Sequence, residues 1–273
     1  MRSSADATSN RRHFLAGASA LGAAPWLGTS SVAAADPPPE ITSIRLVRNV
    51  AICLAPQYIA EELLTLEGFT DVQYVEVKAG TNVPLIATGQ ADFTQEAAPA
   101  LVYAMDSHSN LVALTGIHAG CYELSRNDKV HAIRDLKGKT VAVYALGGGD
   151  HILLSSMLAY VGMDPRKDVK WLAEKTGDAM QFFIDGKADA FMGFAPQPLQ
   201  LRAKKIGHVI INTAQELNAL PYNRWRESNP EDTLRFHALR LHEVGMIKAS
   251  PQKLIAQGTD WRFLNELKKE LKA

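Results

Sequence analysis

The chain has 273 residues, with 29 Lys and Arg against 29 Asp and Glu, so its formal net charge is zero. Balanced, scattered charge excludes the basic footprint of a nucleic-acid binder, and a chain of this length can bury one large core or two smaller lobes. Its two cysteines and eight histidines fall in neither a CxxC nor an HExxH pattern, so no metal and no cofactor is expected.

Residues 1–35 read as a targeting segment. Arg11-Arg12-His13-Phe14-Leu15 matches the twin-arginine pattern, with Asn10 where Ser or Thr is usual. No charged residue occurs from Phe14 to Ala35, and Ala33-Ala34-Ala35 offers small residues for cleavage before Asp36 and three prolines. Positive start, apolar middle and small-residue end make a signal peptide, and the paired arginines point to Tat export into the periplasm. The alternative is an uncleaved anchor, opposed by Gly17, Gly22, Pro25 and Gly28. No later stretch is long and apolar enough to span a membrane.

Residues 41–47 predict a strand, 56–66 a helix and 71–77 a second strand. Gly80-Thr81-Asn82 opens a helix toward Ala87, and residues 88–93 stop that helix and run into a short strand. Ala97-Ala98-Pro99 begins the next helix, with proline tolerated in the first turn. Residues 111–117 read as another strand, leading into His118-Ala119-Gly120-Cys121. Alternating strands and helices of this size predict βαβ units and a largely parallel sheet, with ligands at the carboxyl ends of the strands.

The next stretch, LKGKTVAVYALGGGDHILLSSMLAYV over residues 136–161, reads as strand 140–145, a turn at Gly147, Gly148 and Gly149, and a helix. Asp150 or a loop residue before it caps that helix, whose apolar positions are Ile152, Leu153, Met157, Leu158 and Val161. A glycine turn opening a helix presents free N–H groups to an anionic or strongly polar group. It serves equally as a tight turn with no ligand, and GGGD matches neither nucleotide-binding fingerprint. Strand 169–172, helix 177–184, and strands 190–194 and 207–212 follow. The tail carries two amphipathic helices, one starting at Pro230 and one bearing Trp261, Leu264, Leu267 and Leu271. Cys53 and Cys121 either pair in an oxidising compartment or remain two buried thiols.

DLKGKTVAV, the glycine loop, FIDGKADAFMGFAPQP and IGHVIINT, together with TGQADFTQEAAPALVYA, carry a resemblance. They are similar to the periplasmic solute-binding proteins of ABC importers, in the nitrate/sulfonate/taurine-binding and thiamine-pyrimidine-precursor-like group. The resemblance implies a type II periplasmic binding fold: two α/β lobes with largely parallel sheets around a ligand cleft. Lobe one would be residues 36–130 plus 214–273, and lobe two residues 131–213. By position, the ligand-contacting residues would be Pro56 and Gln57, Gly80 and Thr81, Ala98 and Pro99, and His118, Ala119, Gly120 and Cys121. In lobe two they would be Gly147, Gly148, Gly149 and Asp150, Thr176 and Gly177, and Phe194. Each also has a plainer reading, the prolines as helix starts, the glycines as turns, Phe194 as core and His118 as a structural histidine.

The implied function is to clamp a small polar or anionic solute, such as a sulfonate, nitrate or a pyrimidine, and hand it to an inner-membrane permease. The implied state is a monomer with no nucleic-acid partner and no chemistry of its own. If the Asp150 carboxylate faces the cleft, it disfavours an anion and favours a ligand with donors. The chain departs from the family pattern after residue 213, where the usual further strand and helices are missing and the chain looks internally shortened near Ala214. A thiamine-pyrimidine synthase-like enzyme and a sensing protein that has lost transport are the alternative readings.

Overall fold

The computed structural model describes residues 39–48, 52–77, 82–108, 110–117, 120–173, 178–213, 226–227 and 229–271. The export segment, Gly80, Thr81, His118, Ala119, Thr176, Gly177 and the shortening at Ala214 lie outside the described residues.

Strands β1 (Ser43–Arg48) and β2 (Asp71–Glu76) pair in parallel, from Ser43 opposite Asp71 to Arg48 opposite Glu76. Helix α1 (Ala55–Leu66) connects them, and a parallel bridge from Leu46 to Phe93 extends the pair. The second sheet holds β3 (Tyr122–Arg126), β4 (Thr140–Ala142), β5 (Lys170–Leu172), β6 (Ala190–Phe194) and β7 (His208–Asn212), in the order β5-β4-β6-β3-β7. Strand β4 runs parallel to β5 and β6, whereas β3 runs antiparallel to both β6 and β7. The sheet is therefore mixed, and β3 joins it from before the expected boundary at residue 130.

Sequence reading passed over β3 because YELSR is not an apolar run. Glu123 and Ser125 are nevertheless buried. Glu123 is compensated by the Arg202 guanidinium and by the Asn212 side-chain amide, which donates to it at 3.2 Å. The expected strand over 111–117 needs the opposite correction. Leu111 and Ala113 are buried and Val112 is exposed, which is strand alternation. The neighbour of Ala113, however, is the link between two helices: Ala113 N–H donates to Gly258 O at 2.8 Å and Asp260 N–H to Ala113 O at 2.9 Å. Among the described residues no strand lies alongside, and the stretch makes a bridge to Thr259.

The remaining helices are α2 (Val83–Ala87), α3 (Ala98–Met105), α4 (Gly149–Tyr160), α5 (Ala179–Ile184), α6 (Gln197–Ala203), α7 (Pro230–Glu243), α8 (Pro251–Gly258) and α9 (Arg262–Glu270). The tail thus contains α8 besides the two expected helices; Ser250 caps it, its side chain accepting from Lys253 N–H at 3.3 Å.

Helix α4 is the centre of the packing. Leu153, Leu154 and Leu158 pack with Leu124, Leu136, Val141 and Met192 of the five-stranded half. Ile152 points the other way, into a core with Val102 and Met105 of α3, Leu234, Ala238 and Leu241 of α7, and Leu254 and Ile255 of α8. A helix with neighbours on nearly every side need not be amphipathic, and even its polar residues are internal. Ser155 and Ser156 are fully buried and donate to the carbonyls of His151 and Ile152 at 2.8 and 3.1 Å.

The paired phrases TGQADF and DGKADAF have a common structural cause. Gly89 and Gly186 take φ of +68° and +72° just past α2 and α5, a conformation that costs glycine little. The aspartate that follows then holds a neighbouring strand. Asp92 accepts from Arg45 N–H of β1 at 2.8 Å and forks onto its guanidinium. Asp189 accepts from Thr140 N–H of β4 at 3.1 Å and from the Asn127 side chain at 3.0 Å.

Candidate functional site

The glycine loop opens α4 as its sequence suggests, and of the two N-cap readings, Asp150 or a loop residue before it, the second holds, with Gly148 as the N-cap. Asp150 is buried, and its carboxylate accepts Tyr144 N–H at 2.5 Å, so it ties the loop back to the end of β4. Burial pushes its carboxyl up to about 6, against the pull of backbone N–H groups from Tyr144 and the first turn of α4. His151 completes the brace. Its Nδ1 accepts Gly147 N–H at 3.0 Å, its ring meets Trp171 edge-on at 4.5 Å, and burial lowers it to about 4, so it is neutral.

Gly149 is one of the places where the two halves touch. A Cβ there would overlap the Tyr122 hydroxyl and lie 2.9 Å from the Ala97 Cβ; only glycine permits this approach. Gly147, at φ +84°, lies beside Tyr103 of α3. Ala98 is half-buried and Pro99 buried at the start of α3, directly after Ala97. Phe194, at the end of β6, packs its half-buried ring against Tyr122 and Tyr144 at centroid distances of 5.7 and 5.3 Å.

Other expected positions are placed differently. Pro56 is exposed at the start of α1. Gln57 is buried, and its amide donates to Val47 O at 2.9 Å, holding α1 to β1. Gly120 and Cys121 are half-buried beside Tyr122, and Cys121 meets Cys53.

The acid among these residues is one that sequence reading missed. Glu96 precedes the α3 N-cap, and its carboxylate accepts Ala97 N–H at 2.8 Å and the backbone N–H of Asn82, the N-cap of α2. Protein surrounds it while solvent still reaches it. Burial pushes its carboxyl up to about 7 despite those two N–H donors, with nearby Asp150 adding to the rise. Its plain role is to cap two helix starts, and the signal for it was a lone carboxylate just before Ala97-Ala98-Pro99. Tyr122 and Tyr144 were missed as well. The Tyr144 hydroxyl is buried without a hydrogen-bond partner among the described residues, and both phenols are raised by burial.

Glu96, Tyr122, Tyr144 and Phe194 cluster around the start of α4, which brings three aromatic rings and a carboxylate together beside helix-start N–H groups. No Lys or Arg stands among them. No group of His, Cys, Asp and Glu that could hold a metal occurs among the described residues. An open depression along β7 is lined by Arg202, Val209, Ile210 and Asn212, none of which belongs to this cluster.

Among solved structures, the alkanesulfonate-binding protein of Xanthomonas axonopodis pv. citri is similar at 17% identity and a TM-score of 0.50, over 81% of this chain and 85% of that one. The periplasmic nitrate-binding protein of Synechocystis PCC 6803 is 19% identical with a TM-score of 0.51, over 76% of this chain and 62% of that one. A Candida albicans gene product with the generic periplasmic binding protein fold is 14% identical with a TM-score of 0.51, over 84% of this chain and 80% of that one. The fold is therefore that of periplasmic binding proteins. None of the curated protein sequences matches this chain. The NMT1/THI5 like family model matches residues 67–227, more than half of the sequence, and the chain belongs to that family.

Proposed function

We propose that the protein is the solute-binding component of an ABC importer, exported by the twin-arginine route, and that it holds a small polar solute in a recess that opens between Glu96 and the Gly147–Gly149 loop, before delivery to a permease. The observation that carries this reading is the meeting of Glu96 and Ala97, from one half, with Gly149, Tyr122 and Phe194 from the other. In this fold a solute drives closure only through contacts made in the closed state. The recess offers a carboxylate, two phenols and an aromatic face, so the solute that suits it carries N–H or O–H donors. Sulfonates and nitrate, for which the bacterial neighbours are named, would find no cationic side chain among Glu96, Tyr122, Tyr144, Gly149 and Phe194. Among the described residues there, no nucleophile is paired with a base, which favours binding over chemistry.

The test is thermal unfolding against sulfonates, nitrate, bicarbonate, pyrimidines and aromatic acids. A solute that binds only the folded state raises the melting temperature as its concentration passes the dissociation constant. A rise with donor-bearing solutes alone is the expected result. A cooperative transition that no solute moves would refute the binding role.

A further inference from the structure

Cys53 and Cys121 lie far apart in sequence and meet in the fold. Cys53 sits in the 3-10 turn Ile52–Leu54 between β1 and α1, a turn fixed by buried Leu54 and by the Gln57 bond to Val47 O. Cys121 immediately precedes β3 and is held just as firmly. Gly120, at φ +71°, presses against the Thr213 backbone where a Cβ would collide, and Tyr122 N–H donates to Thr213 Oγ1 at 2.9 Å. Between these anchors the Cys121 thiol hydrogen-bonds the Cys53 sulfur. Both cysteines are unoxidised and half-buried.

We propose that Cys53 and Cys121 form a redox-closable staple, an intramolecular disulfide that ties the turn after β1 to the start of β3 beside the recess. The proposal rests on the reading that the chain works in an oxidising periplasm. Two thiols already in hydrogen-bond contact on anchored backbone need only close to a bond of about 2 Å. A disulfide of the glutathione class is the oxidant. The bond to Cys53 and burial push the Cys121 thiol up; either thiol of the pair can enter the exchange, with the same balance. When Cys53 enters, its thiolate attacks one sulfur of oxidised glutathione and releases one glutathione as thiolate. Cys121 then loses its proton and attacks the Cys53 sulfur of the mixed disulfide, releasing the second glutathione. The protein gives up two protons and two electrons, and one glutathione disulfide becomes two glutathiones.

The staple closes a loop of about 70 residues, which restricts the unfolded chain and raises the melting temperature by about 10 °C. The purified full chain is incubated with oxidised glutathione or with dithiothreitol, alkylated, and read by intact mass, peptide mapping and thermal unfolding. The expected result is loss of both thiols without added glutathione, a peptide joining Cys53 to Cys121, and a raised melting temperature that dithiothreitol reverses. Cys121→Ser, treated in the same way, should hold a single glutathione on Cys53. Stable glutathione adducts on both cysteines of the wild-type chain, disulfide-linked dimers, thiols left unreacted with oxidised glutathione, or a cross-link with no change in melting temperature would each overturn the proposal. None of these readouts involves a solute, so the staple and the transport role fail separately.

Discussion

Glu96 offers the sharpest test of how the recess is built. An unfolded glutamate titrates near 4.5, whereas burial raises Glu96 to about 7 in the fold. Between these values the folded state holds a proton that the unfolded chain has released. The carboxyl therefore costs nothing below about pH 4.5, and its cost grows as pH rises to about 7. The full shift corresponds to about 3 kcal/mol, and water reaching the side chain brings the expected cost down to roughly 1–3 kcal/mol. Glu96→Gln keeps the shape and one acceptor oxygen while removing the charge. Losing the other acceptor costs about 1 kcal/mol at every pH, so the informative quantity is the change in the mutational effect between two pH values. Urea unfolding of both proteins at pH 5 and pH 8 should show the variant gaining about 1–3 kcal/mol relative to wild type at the higher pH. An effect equal at both pH values would show that Glu96 is not held in a desolvated site, and the reasoning would fail. If Glu96 also accepts from the solute, the same variant should bind it more weakly while folding more stably at pH 8.

Gly149→Ala should cost about 1–3 kcal/mol and abolish any solute-induced melting shift, because its Cβ meets Tyr122 and Ala97; thermal unfolding with and without solute reads both effects. His151 runs opposite to Glu96. Its folded value of about 4 lies below the usual 6.5, so its contribution is complete above about pH 6.5 and is lost as pH falls toward 4, by up to about 3 kcal/mol. His151→Gln, which keeps an acceptor for Gly147 N–H, should flatten the acid limb of the stability–pH curve, and an unchanged limb would exclude His151 as its source. Leu154→Ala should cost about 3 kcal/mol in denaturant unfolding, since Leu154 is fully buried under the five-stranded sheet.

Sequence reading found the elements whose pattern is local. Strand 190–194, with Phe191 and Met192 buried on opposite faces, is an uninterrupted apolar run, and the glycine loop announces its own turn. What was not legible depended on partners far along the chain. Strand β3 hides behind Glu123, whose burial makes sense only with Arg202 and Asn212 beside it. Residues 111–117 have strand alternation but, among the described residues, no strand to pair with. In the site, loops were easier to find than side chains. Gly147–Gly149 could be read from glycine content, whereas Glu96 and Tyr122 acquire their environment only when α3 and α4 are brought together. Asp150 illustrates the limit: its position beside the recess was expected, but its carboxylate turns inward to Tyr144 N–H.

The bonds at Thr213 bring the two ends of the five-stranded half together. Thr213 N–H donates to Tyr122 O at 2.9 Å, and Tyr122 N–H donates to Thr213 Oγ1, so the chain enters and leaves this half on adjacent, hydrogen-bonded strands. A segment whose two ends lie about one strand spacing, ~4.8 Å, apart can be cut from one protein and spliced into a surface turn of another without stretching either. Residues 120–213 have adjoining ends in that sense, but a graft would also have to supply the pocket that Ile152 of α4 fills in the other half.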